Sequence, residues 1–208
     1  VTELVNTGGF ARNCLTDFTR AAIARAMTVL ENNFHDTVSW DDLPLTLLRI
    51  HASENPPALL PLGGARVAFS ELPSADFLQR GGAGAPGLLM DCARLLLDRS
   101  NGLGHDTRTD PAGLVVGLAA IGEVWMVDAG DAIDGVLHAD NPAAVESRFV
   151  TAVLADGTVL NVFRARGQEP FNTAPVNVSR YPEDHNLAPA LWLLGQGLGH
   201  FSMDAAPV

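Results

Sequence analysis

The sequence predicts an α+β fold with N-terminal helices, then a mostly antiparallel sheet, then a closing helix, and three observations carry that expectation. An apolar stripe of helical period opens the chain after Thr16-Asp17. An Asp-Gly step at 156–157 separates two β-rich runs, the strongest short-range signal for a hairpin. A leucine stripe follows Asn186 near the end of the chain. The 208 residues, 47% hydrophobic and only 18% charged, suit one domain with a sizeable core, its helical part about residues 1–100 and its sheet part about 113–208.

In the first stripe Ile23, Met27, Leu30 and Phe34 recur at i, i+4, i+7 and i+11. Thr16 or Asp17 stands where a cap satisfies the first free amides. Asn32-Asn33 and His35-Asp36 are read as its end. Ser39-Trp40-Asp41-Asp42 then resembles a second helix start, carrying Leu43, Leu47, Leu48 and Ile50, with Pro44 in the first turn. Asn55-Pro56-Pro57 closes that unit, and 59–69 is read as a short strand broken by Gly63-Gly64. Ser74 is placed to cap a short turn at Phe77-Leu78. Gly81-Gly82-Ala83-Gly84-Ala85-Pro86 is a connector to a helix whose buried stripe is Leu88, Leu89, Cys92, Leu95 and Leu96. Residues 98–113 form a long polar loop and the candidate lid.

The second half is β-rich. Residues 114–127 predict one bent strand or two, with Gly117 or Gly122 marking a bulge or a close backbone approach. Residues 145–154 and 158–166 form the hairpin. With Asp156 and Gly157 as a two-residue loop, Leu154 faces Val159, Val150 faces Phe163, Val153 faces Leu160 and Phe149 faces Arg164. Both faces of that hairpin are partly apolar, so it is either sandwiched between layers or buries one face on another subunit. Asn186 caps the last helix, whose stripe is Leu187, Leu191, Leu194 and Leu198, weakened by Gly195 and Gly197.

Composition excludes several functions. A net charge of −11, with all 13 basic residues arginine and scattered, is the opposite of a nucleic-acid footprint and disfavours anionic membranes. The longest apolar run, 113–127, contains Glu123 and falls short of the ~20 residues of a spanning helix. The opening residues lack a signal-peptide pattern. Cys14 and Cys92 are isolated and fit a reducing cytoplasm better than a disulfide framework or zinc site. No catalytic or cofactor motif emerges. The glycine pairs lack the strand-then-helix context of a phosphate loop. Neither cysteine has an identifiable base, and Ser100 sits in a turn-like Ser-Asn-Gly. His35-Asp36 and His105-Asp106 lack the additional ligands of a metal phosphohydrolase. Trp40, Trp125 and Trp192, with Phe34, Phe149 and Phe163, are assigned to the core. The densest ligand set is Asp128, Asp131, Asp134 and His138, followed by Asp140. It would hold a divalent metal ion only if a loop folded the residues inward, and its spacing is not that of an EF-hand.

Trp40-Asp41-Asp42, the apolar run ending Glu123-Val124-Trp125-Met126, Asn141-Pro142, and Glu146 to Val153 with Asp156-Gly157-Thr158 together resemble small uncharacterised proteins of high-GC actinobacteria. The resemblance covers about half the chain and implies the same hairpin; it carries no activity, cofactor or site residue.

The functional expectation is a protein without chemistry of its own that acts by association, as a homo-oligomer or as an accessory or assembly subunit. The alternative is a small metal-dependent hydrolase using the acidic segment 128–140 with the loop around His105. A small-molecule binding domain with an apolar pocket between sheet and helices is compatible with the composition, though no residue in the sequence singles it out.

Overall fold

A computed structural model describes residues 15–40, 45–53, 66–72, 89–94, 114–127, 130, 131, 133, 140–181 and 186–201. Thr16 accepts the Thr19 N–H through its hydroxyl oxygen and caps helix α1, Asp17–Thr37, where Ala22, Ile23, Ala26 and Met27 are buried. The helix runs past Asn32-Asn33 to Thr37, and the Arg148 guanidinium gathers carbonyls at and just beyond its end, donating to Phe34 O at 3.1 Å, Val38 O at 2.9 Å and Ser39 O at 2.7 Å. A cation at a helix C-terminus also opposes the negative end of its dipole.

The expected second helix is a strand, β1, Thr46–Ser53. Leu47, Leu48 and Ile50 are all buried, and a strand covered on both faces shows no alternation by which to tell it from a helix. β2 is Arg66–Glu71, antiparallel to β1. Of the expected stripe Leu89 is buried and Cys92 half-buried, with Met90 and Ala93 buried beside them among the helical residues 89–94, while Leu88, Leu95 and Leu96 lie outside the described residues. The Ser74 turn, the 81–86 connector and the loop at 98–113 lie outside the described residues.

β3, Leu114–Met126, is one strand through both glycines. The register with β1 slips between Ile50↔Gly117 and His51↔Val115, a bulge at the expected place. A Cβ on Gly117 would stand 2.8 Å from Leu154 Cδ2 and 2.9 Å from Val153 O, so the close approach of two backbones requires glycine. β4, Val145–Leu154, and β5, Thr158–Ala165, form the hairpin. Its register differs by one residue from the expected one: Val153 faces Val159, Ala152 faces Leu160, Val150 faces Val162 and Phe149 faces Phe163. The loop has three residues. Gly157 N–H donates to Leu154 O, and Gly157 adopts φ 84°, a turn followed by a left-handed glycine. Tertiary bonds select it over the two-residue loop. Ala155 N–H reaches Val116 O of β3, and Asp156 accepts from Thr158 N–H and from Arg20 of α1.

Two short strands, β6 (Phe171–Asn172) and β7 (Val176–Asn177), pair along the outer side of β5. The sheet order is β2-β1-β3-β4-β5-β6, with β7 also on β5. A 3₁₀ turn, Val178–Arg180, leads toward helix α2, Leu187–Gly197, capped by Asn186 as expected. α2 ends in a Schellman motif that the leucine stripe alone does not reveal. Gly199 N–H bonds Gln196 O, His200 N–H bonds Gly195 O, and Gly199 has φ 73°.

Side chains alternate across a strand, and the one-residue shift decides which of them meets which helix. Arg148 and Arg164 point to α1. Thr151, Asn161 and Phe163 line a space shared with Leu187 and Ala188 of α2. The hairpin is therefore sandwiched between α1 and α2, and its two apolar faces are covered within the chain. No helix among the described residues is long and apolar enough to cross a membrane.

Candidate functional site

Asp131 and Asp140 are exposed, and Asn141 Nδ2 donates to Asp131 O at 2.8 Å, bracing the chain that joins β3 to β4. Asp128, Asp134, His138 and the His105 loop lie outside the described residues. Among the described residues no three His, Cys, Asp or Glu side chains come together as a metal site. His35 is exposed with its ring edge-on to Trp40, and buried His51 shares a hydrogen bond of 2.7 Å with Ser70.

Carboxylates that are buried or partly buried are instead held by arginines. Glu31 is fully buried in α1 and takes Arg164 Nε on both oxygens at 2.8 Å. The same guanidinium reaches Gln168 O and Asn32 Oδ1. Arg148, also fully buried, donates to Glu123 Oε1 at 2.9 Å. Arg166 pairs with Glu146, and Arg20 with Asp156. Planar, multiply donating guanidinium is the side chain suited to such buried pairs, which gives the all-arginine basic set a structural use. Burial pushes the Asp156 carboxyl up, but Arg20 and the Thr158 N–H outweigh it and hold it below the usual carboxylate range. Glu31–Arg164 and Arg20–Asp156 fasten α1 to the sheet, while Glu123–Arg148 joins β3 to β4 and Glu146–Arg166 joins β4 to the end of β5.

The feature that stands out is the far end of β3. Among the described residues pairing with β1 reaches Thr46↔Ile121, while pairing with β4 continues to Met126↔Val145. From Gly122 to Met126 the side of β3 away from β4 has no strand neighbour among the described residues. Leu45 and Phe149 close over Gly122, where an added Cβ would meet them at 3.1 and 3.2 Å. Beyond it Val124, Trp125 and Met126 are each about 40% exposed, and Val145, opposite Met126, is 46% exposed. Val124 and Met126 share one face, and Trp125 lies on the other with Glu123.

Charge at this end is balanced by Glu123–Arg148 and Glu146–Arg166, and both guanidiniums lie over the Trp40 ring, at 4.7 and 5.6 Å from its centre. Trp125 is 41% exposed and so lies outside the core in which the sequence reading places it. The sequence contains Val-Trp-Met in plain view, but nothing local in it marks the three side chains as exposed. No protein-family model, curated protein or solved structure matches the chain.

Proposed function

We propose that the protein works by association, two copies joining edge to edge through residues 122–126 of β3. One observation carries the reading: three consecutive large apolar side chains, Val124, Trp125 and Met126, are exposed on a strand segment that has no strand neighbour on one side among the described residues. An open strand edge is a template for another strand, and natural proteins usually blunt it with charge, proline or a covering element. This segment has no proline, and its one charge, Glu123, is neutralised by Arg148. An antiparallel pairing of the segment with itself is self-complementary and closes as a two-fold dimer. A homo-oligomer needs no buried acid–base couple, in keeping with carboxylates committed to arginines. Cys92 carries a free thiol, which suits a reducing cytoplasmic location.

Light-scattering mass across a dilution series tests the proposal. The natural chain should be dimeric at high micromolar concentration and dissociate on dilution. Val124→Lys with Met126→Lys, both at exposed positions, should be monomeric throughout and keep the circular dichroism of the parent. A parent that stays monomeric at high micromolar concentration overturns the proposal, as does a dimer indifferent to the two lysines.

A further inference from the structure

On the opposite side of the molecule from α1, a pocket of about 530 Å³ opens between the sheet and the first turn of α2. That volume falls in the range of about 300–1,000 Å³ that holds small-molecule ligands. Phe163, Val176, Leu187 and Ala188 supply apolar walls, and none of the described residues that line the pocket is charged, in a chain with 24 acidic and 13 basic residues.

Its polar groups form a short relay. Thr151 and Asn161 face each other across β4 and β5 and are 7% and 8% exposed. The Thr151 hydroxyl donates to Asn161 Oδ1 at 2.8 Å, and Asn161 Nδ2 donates to the Tyr181 hydroxyl at a long 3.4 Å. That arrangement uses the amide oxygen and one amide hydrogen. The second Asn161 N–H and the Tyr181 O–H are left as donors beside the pocket. The buried Thr151 and Asn161 side chains share a sheet face with Ser147, Phe149, Val153, Val159 and Phe163, and they bring desolvation costs that an apolar pair would avoid. The helix terminus at the rim is not an anion site. Asn186 already accepts the Ala188 N–H, and Pro189 removes the next donor.

We infer that this pocket binds a small, uncharged, mostly apolar molecule that offers one hydrogen-bond acceptor, such as a carbonyl oxygen, to Asn161 and Tyr181. The net charge of −11, with no cation among the described lining residues, selects against anionic ligands. The site is independent of the β3 edge.

The test uses the full chain with two fluorescent probes, Nile red, which is neutral and carries a carbonyl, and the anionic anilinonaphthalene sulfonate. Nile red should bind saturably at one site per chain with a blue-shifted emission, and the anionic dye at least about tenfold more weakly. Thr151→Val with Asn161→Leu should weaken Nile red about tenfold at an unchanged or higher melting temperature. Ala174→Trp, at an exposed lining position, should block the pocket without touching the relay. Val124→Lys with Met126→Lys should leave Nile red binding intact, which separates this site from the β3 edge. Three results overturn the inference: no saturable binding, equal binding of the two dyes, or binding that survives both pocket variants.

Discussion

Arg164 and Arg148 face each other directly across β4 and β5, an arrangement of like charges that is unfavourable unless each has its own counter-ion. Glu31 and Glu123 supply those counter-ions, from α1 and β3. Removing one partner of a buried pair strands the other charge, so Arg164→Leu should cost about 3–5 kcal/mol in denaturant unfolding. Replacing both, Glu31→Leu with Arg164→Met, should recover most of the loss, because an apolar pair of similar volume is often neutral or better. Asp156 has a pH signature. Its carboxyl is held below the usual range in the folded state, so the unfolded chain takes up the proton first as pH falls. The stabilisation is complete above the unfolded value of about 3.9 and disappears as pH drops through the lower folded value. Asp156→Asn should therefore cost roughly 1–2 kcal/mol at neutral pH, with the difference from the parent shrinking below about pH 4. None of these pairs is legible in the sequence: Glu31–Arg164 and Arg20–Asp156 each join residues more than 130 positions apart, and no local period links them.

At the scale of elements, what was legible followed from local chemistry. Thr16 and Asn186 announce their helices by side-chain capping, and Gly117 marks a bulge because two backbones meet there. What was not legible depended on tertiary partners. Leu47, Leu48 and Ile50 fit a helical period equally well, and burial on both faces makes them a strand. Asp-Gly permits both two- and three-residue loops, and bonds from Val116, Arg20 and Thr158 choose the longer, moving β5 by one position. Gly195 shows the same limit from the other direction. In a helix it reads as a weakness of about 1 kcal/mol against alanine, yet a Cβ there would stand 2.2 Å from Phe201 Cε2. Phe201 lies against Trp192 with ring centres 5.1 Å apart. Gly195→Ala should thus lower the melting temperature, an overpacking cost of about 1–3 kcal/mol exceeding the gain in helix propensity.

For the whole molecule, the expected α+β architecture is the one observed, with α1 and α2 on opposite faces of a seven-stranded sheet. Covering both faces of the hairpin removes the reason the sequence offered for association and supplies another. Val124, Trp125 and Met126 stay exposed side by side at the end of β3, beyond its last described pair with β1. Their exposure follows from how the sheet is assembled, which no residue type encodes, so the sequence does not mark the candidate interface. Proposal and fold then make one joint statement: the faces of the hairpin are covered within the chain, and the end of β3 is the edge offered to a second copy. A native mass spectrum of the purified full chain tests that statement most directly, since it reports subunit number and any retained ion or ligand together. The account predicts a two-subunit species without metal, reduced to one subunit by Val124→Lys with Met126→Lys. A single-subunit species carrying a divalent ion would contradict it and turn attention to the aspartates between β3 and β4.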